Sequence, residues 1–261
     1  LIRGPQARQA TLKHSEHCSM EKYFDQHISR QFNQELENLR RDVMKMGGMA
    51  EEMVIDAMAA LLEGDVERAR SVIEADDQVN QMEKEIDGQA MEILARRQPT
   101  ASDLRLVMAI VKTVNDLERV GDEAENIAKV AIQMADLDRP RNNYYELETM
   151  AEHVRSMLRD ALDGFARMVP EIVVTLFRAD ERVDDEYEAI LRQYYTYLAE
   201  EPRQTTRIIN AIWIARALER IGDHAKNIGE YVFYLVEGQD VRHIPADQKE
   251  QAVLGDRKSD S

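Results

Sequence analysis

The amino-acid sequence predicts an all-α protein, a tandem repeat of two antiparallel three-helix bundles. Three observations carry that prediction. Aromatic residues make up only 6%, and six prolines and eleven glycines in 261 residues leave long uninterrupted stretches rich in Met, Ala, Leu, Glu and Arg, a balance that favours helices over sheets. Apolar residues recur at steps of three and four. Finally, LERVGDEAENIA at 117–128 returns as LERIGDHAKNIG at 218–229, with eight of twelve positions identical and an offset of 101 residues. Helical periodicity does not generate a repeat of that size, so the chain is two versions of one unit. Each unit has about a hundred residues, enough to bury a core.

Taken in order, residues 1–22 are polar and aperiodic and are expected to form a disordered leader, with Met20 the candidate natural start. The stretch has no apolar h-region and is not a secretory signal. His14, His17 and His27 lie near Cys18 in sequence, but their spacing matches no closed metal site.

The first repeat is placed at 23–136. Its first helix carries Phe32, Leu36, Leu39, Val43 and Met46, then Met49, Met53, Ala57, Ala60 and Leu61. Gly47-Gly48 is expected to bend it, and Gly64-Asp65 to close it with Asp65 capping the next helix. The second helix carries Val66, Ala69, Val72, Ile73, Val79, Met82, Ile86, Met91 and Leu94 and ends before Pro99. The third begins inside TASDLR, where Thr100 or Ser102 can cap and Asp103 suits the positive helix end. It passes through Leu106, Ile110, Thr113, Leu117, Ala124, Ile127 and Ala131. Short connections make successive long helices antiparallel, and the Met-rich stripes read as core.

LDRPRNN, 137–143, reads as a linker. The second repeat, 144–237, follows the same plan. A helix over 144–168 carries Leu147, Met150, Val154, Met157, Leu158, Ala161, Leu162 and Phe165. The next contains VDDEYEAILRQYYTYL and stops at Glu201-Pro202. The last, over 203–236, carries Ile208, Ile212, Ala215, Leu218, Ile221, Ala225, Ile228 and Val232. Residues 238–261 are expected to be a loose polar tail.

Charge and cysteine usage narrow the function classes. A net charge of −16 would repel duplex nucleic acid, so a DNA-binding role is excluded. One cysteine allows no intrachain disulfide and fits a reducing compartment. No apolar run is long enough to span a bilayer, and the chain is expected to be cytoplasmic.

The repeated motif holds the chemistry. Glu118 and Asp122 stand four apart, as do Glu219 and Asp223, so each pair projects from one side of its helix. Each pair also continues an apolar line: Val107, Val111 and Val114 in the first copy, Ile208, Ile212 and Ala215 in the second. Carboxylates on such a seam need a partner, because burying an uncompensated charge is expensive. The neighbouring Arg119 and Arg220 point about 100° away and are imperfect counterions.

Asp77 and Asn80 on the second helix, Glu181 and Asp184 at the matching places of the second repeat, and Asn126 and Asn227 one turn further along the motifs are candidate supporting groups. Such oxygen-rich clusters suit Mg²⁺, Mn²⁺, Ca²⁺ or iron more than a closed Zn²⁺ site; the alternative is a polar contact between helices. The copies are not equivalent: Glu125 corresponds to Lys226, and Glu123 to His224. No histidine has Glu three residues before it, so the Glu-x-x-His signature of di-iron bundles is missing. No Gly-rich phosphate loop or G-x-S-x-G occurs, and no catalytic residue is assigned. A metal-dependent helical-bundle enzyme or metal store is the alternative that the carboxylates alone leave open.

Two three-helix units, each ending in an E-R-[VI]-G-D-x-A-x-N-I helix, resemble the PhoU family of bacterial phosphate-signalling regulators. The likeness extends through RRQPTASDLRLVMAIVKTVNDLERVGD at 96–122 and RALERIGDHAKNIGEYVFYLVEGQDVRHI at 216–244. It covers residues 24–244. The family's E(D)xxxD motifs can hold metal ions, which by resemblance falls here to Glu118, Asp122, Glu219 and Asp223, with Mg, Mn, Fe or Zn as the possible ion. The resemblance further implies a non-catalytic, cytoplasmic, often homodimeric negative regulator of the phosphate-starvation (Pho) response. It would link the Pst phosphate transporter, through its PstB ATPase, to the sensor histidine kinase PhoR, and so lie against the membrane only through its partners.

Overall fold

A computed structural model describes residues 6–137, 144–241, 244 and 253, with side chains from Arg30 onward. Among the described residues, six long helices, α1 (Gln6–Glu63), α2 (Val66–Arg97), α3 (Ala101–Met134), α4 (Tyr145–Arg167), α5 (Ile172–Glu200) and α6 (Thr205–Glu237), make an all-α fold, with one 3₁₀ turn at Pro202–Gln204. Among the described residues there is no strand, and no helix is long and apolar enough to cross a membrane.

The helix ends follow from local chemistry. Gly64 takes φ +70°, which only glycine adopts freely, and stops α1. Asp65 then accepts hydrogen bonds from the Glu67 and Arg68 amides at 3.1 and 3.0 Å, a cap worth about 1 kcal/mol. Gly238, at φ +75°, closes α6 and donates its amide to the Tyr234 carbonyl. Thr100 is the N-cap of α3 but makes no side-chain hydrogen bond there.

Four features depart from the sequence reading. Residues 6–22 are helical and continue α1; no glycine or proline interrupts the chain between Gln6 and Met46. Residues 1–5, the side chains of His14, His17, Cys18 and His27, and linker positions 138–143 lie outside the described residues. Gly47-Gly48 does not break α1; Gly47 instead makes room for Leu162, whose methyl occupies the space of a β-carbon. On α2 the buried stripe runs Ile86, Ala90, Ile93, leaving Met91 65% exposed, because Met91 stands one residue off that three–four step. Finally, the tail is not wholly loose: Val241 and Val253 are buried against Val173 and Phe233, apolar groups at the start of α5 and the end of α6.

The two repeats meet through α1 with α4 and α3 with α6, while α2 and α5 flank them on the outside. Both central pairs are antiparallel. Along α3 and α6, Arg105 reaches the Leu235 carbonyl, Lys112 lies over Tyr231 and Tyr234, Asp116 meets His224, and Glu123 meets Arg220. As the α3 numbers rise, the α6 numbers fall. The repeats are thus related by an approximate twofold axis, and one buried cluster runs through all six helices where a core for each repeat was expected. The acidic motifs lie on the outward-facing grooves, α2 with α3 and α5 with α6.

Candidate functional site

The ERVGD motif sits in the second half of α3 beside α2. The line that leads to it is buried as the sequence implies: Val107 and Val114 are fully covered, and the Glu118 side chain keeps 18% of its surface. Gly121 brings α2 close, so that Asp76 and Val79 pack over it. Asp76 is 7% exposed; its Oδ2 accepts from Asn80 Nδ2 at 2.7 Å, and its buried Oδ1 has no hydrogen-bond partner. The first cluster therefore comprises Asp76, Glu83, Glu118, Asp122 and Glu125, with Asn80 at its edge.

Its electrostatics are those of crowded acid only partly compensated by bases. Burial and the charges of Glu125 and Asp122 push the Asp76 carboxyl above the ordinary range. Burial raises Glu118, with Asp122 and Glu83 adding to it. Burial raises Asp122 as well, although Arg119 opposes the shift. The cations present stand at the rim: Arg119 lies 3.6 Å from Glu118 and 3.9 Å from Asp122, and Lys129 holds Glu125 at 2.6 Å, with both bases about half exposed.

The second motif is arranged differently. Lys226 Nζ donates to Asp180 Oδ2 at 2.6 Å and to Asp223 Oδ1 at 2.8 Å. Burial opposes the ammonium charge, and these two carboxylates outweigh it and raise the amine above its ordinary range, while burial raises Asp180 against the pull of Lys226. Arg216 donates to Glu219 Oε1 at 2.7 Å and lies over the Tyr187 ring, leaving Glu219 Oε2 buried without a partner. Burial and Asp223 nonetheless raise Glu219.

The predicted supporting residues divide. Asn80 belongs to the first cluster. Asp77 and Glu181 are exposed; the buried acids are their neighbours Asp76 and Asp180, one residue or about 100° around each helix. The stripes Val72–Asp76–Val79 and Leu176–Asp180–Val183 carried that signal. Asp184 lies at the rim, its carboxyl raised by partial burial and by Asp223 against the pull of Lys226. Asn126 is exposed beside the α3–α6 groove that Trp213 lines. Asn227 instead serves the contact between repeats, donating to Asp116 Oδ1 at 3.1 Å beside His224 Nδ1 at 2.6 Å.

Among the described residues no three His, Cys, Asp or Glu side chains already converge at metal-binding distances. The donor chemistry of the first cluster still fits a hard divalent cation: it is all oxygen, strongly negative, and keeps the orphaned Asp76 Oδ1. Asp76, Glu118, Asp122 and Glu125 would hold the ion. The second set does not fit one equally, since Lys226 already bridges its two aspartates.

Comparison with known proteins agrees with this architecture. The PhoU domain matches residues 43–131 and again 147–232, one match in each repeat. The Pseudomonas putida "Phosphate-specific transport system accessory protein PhoU homolog" is 48% identical over 235 residues, 90% of this chain and 92% of that protein. The corresponding Escherichia coli K12 protein, "Phosphate-specific transport system accessory protein PhoU", is 46% identical over 231 residues, 88% of this chain and 95% of that one. The crystal structure of PhoU from Pseudomonas aeruginosa superimposes with a TM-score of 0.77 at 48% identity, covering 80% of this chain and all of that one. The Streptococcus pneumoniae phosphate transport system regulatory protein PhoU gives 0.75 at 29% identity, covering 80% and 98%. With both repeats matched and relatives aligned over nearly their whole length, this chain belongs to the PhoU family.

Proposed function

We propose that this chain is a non-catalytic negative regulator of phosphate uptake and of the phosphate-starvation response. It acts as an adaptor between the PstB ATPase of the phosphate importer and the sensor kinase PhoR, keeping the kinase quiet when phosphate is plentiful. The support is its family and the names of its relatives, which are accessory and regulatory proteins of phosphate transport. The observation that carries the reading is the motif E-R-[VI]-G-D-x-A-x-N-I at the same place on α3 and α6, inside both PhoU domain matches.

Physically, a body of long helices sharing one core transmits position well, and it can present separate surfaces to two partners. A cation drawn into the first acidic cluster would neutralise its repulsion and favour one arrangement of α2 against α3. The protein works in the cytoplasm as a homodimer, at the membrane through its partners.

The test is alkaline phosphatase activity in cells lacking the gene, grown in excess phosphate, with and without a plasmid copy. High activity silenced by the plasmid is expected. Low activity in the deletion would sink the regulator reading and turn attention to metal-dependent chemistry at the carboxylates.

A further inference from the structure

The two acidic grooves occupy equivalent places and differ in charge at several matched positions. Where the first repeat has Glu125, the second has Lys226; where it has Asn115, the second has Arg216; where it has Glu83, the second has Tyr187. Asp76 corresponds to Asp180, Glu118 to Glu219 and Asp122 to Asp223. One exchange runs the other way, Asn80 becoming Asp184. The first groove thus gathers five carboxylates with cations only at its rim, and the second four, Asp180, Asp184, Glu219 and Asp223, with Lys226 buried among them and Arg216 paired to Glu219.

The hydrogen bonds follow the same division. Each groove keeps one buried carboxylate oxygen without a partner, Asp76 Oδ1 in the first and Glu219 Oε2 in the second, and the two differ at their aspartates: no base reaches Asp76. In the second, the equivalent aspartate and the motif aspartate share one ammonium at 2.6 and 2.8 Å, and the Lys226 side chain keeps only 18% of its surface. An ammonium between two carboxylates supplies the charge and donors that a bound cation would supply, and it fills the space between them.

We infer that Lys226 is the resident cation of the second groove, so that this chain takes a divalent metal in its first repeat and needs none in its second. The inference rests on the metal reading of the first cluster proposed above. It makes the duplicated motif functionally unequal: occupancy at α2–α3 responds to metal supply, whereas α5–α6 is held closed by a covalently attached charge that cannot be chelated.

The experiment is Mn²⁺ titration of the full chain after chelator treatment, following free Mn²⁺ by electron paramagnetic resonance, with circular dichroism to verify folding of each variant. In the wild type, Asp122→Asn is expected to weaken Mn²⁺ binding about tenfold or more. Adding Lys226→Gln to that variant restores binding, now at the second groove, and Asp223→Asn then removes it. Lys226→Arg, which keeps the charge, does not restore it.

If Asp122→Asn leaves Mn²⁺ binding at the wild-type level, the second groove is already loaded and the inference fails. Folded Asp122→Asn/Lys226→Gln without regained binding overturns it too, as does a wild type that binds no Mn²⁺. None of these results bears on repression in cells, which the phosphatase assay reads separately.

Discussion

Asp76 Oδ1 lies 3.2 Å from the point where a β-carbon on Gly121 would stand. The glycine of the first motif therefore fixes how near α2 can bring a buried carboxylate to Glu118 and Asp122. At the equivalent Gly222 the nearest atom is a Val183 methyl at 3.5 Å, an ordinary contact.

That difference predicts unequal tolerance at matched positions. Gly222→Ala should stabilise the protein by about 0.5–1 kcal/mol, through helix propensity alone. Gly121→Ala should gain clearly less, because Asp76 is tied to Asn80 and cannot retreat freely. Chemical denaturation of the two variants checks this, and equal gains would contradict it. Gly164→Ala should destabilise by about 1–3 kcal/mol, since Ile172 Cβ stands 3.0 Å from the new carbon.

Asp76→Asn should stabilise the metal-free protein at neutral pH by on the order of 1 kcal/mol, by removing an uncompensated buried charge at nearly constant volume. The sign with pH follows from the raised carboxyls. The folded chain holds protons that the unfolded chain has released, so stability falls as pH rises from the ordinary carboxylate range through the raised folded values. The advantage of Asp76→Asn is therefore full near pH 7 and shrinks towards about pH 4.5. Denaturant melts of chelator-treated protein at both pH values measure it; an advantage that grows in acid would refute the assignment.

The repeats are joined by Asp116, 6% exposed, which accepts from His224 Nδ1 and Asn227 Nδ2. Asp116→Ala leaves both partners facing a void and should cost about 1–3 kcal/mol. A double-mutant cycle with His224→Ala should return a clear coupling energy, because the two side chains touch across the axis between repeats. Strict additivity would mean the contact contributes nothing.

Truncation after Gly238 removes Val241 and Val253 and uncovers Val173 and Phe233. The expected loss is roughly 2–4 kcal/mol, the burial of two valines with part of the surface they cover. A truncated chain as stable as the parent would show that these contacts are not maintained in solution.

Trp213, the chain's single tryptophan, is 62% exposed beside the α3–α6 groove. Its fluorescence should be solvent-like and readily quenched by acrylamide in the isolated protein. Blue-shifted, protected emission would reveal a surface already covered, as in self-association through this face.

The helices and the repeat were legible in the sequence because each depends on local information. The three–four spacing of Leu36, Leu39, Val43 and Met46 fixes a buried stripe without reference to any other element, and Gly64-Asp65 encodes its own stop and cap. The motif acids Glu118, Asp122, Glu219 and Asp223 were found because repetition marks them.

Tertiary structure decided what depends on rotation and distance. One residue around α2 separates exposed Asp77 from buried Asp76, and a sequence list of acids does not weigh that 100° until the packed face is known. The twofold packing of α3 against α6, which pairs Asp116 with His224 and Glu123 with Arg220, joins residues about a hundred positions apart that no periodicity relates. Sequence alignment within the chain placed Lys226 opposite Glu125; only the fold turned its ammonium onto both Asp180 and Asp223, since a charge of either sign acts over the few ångströms that packing sets.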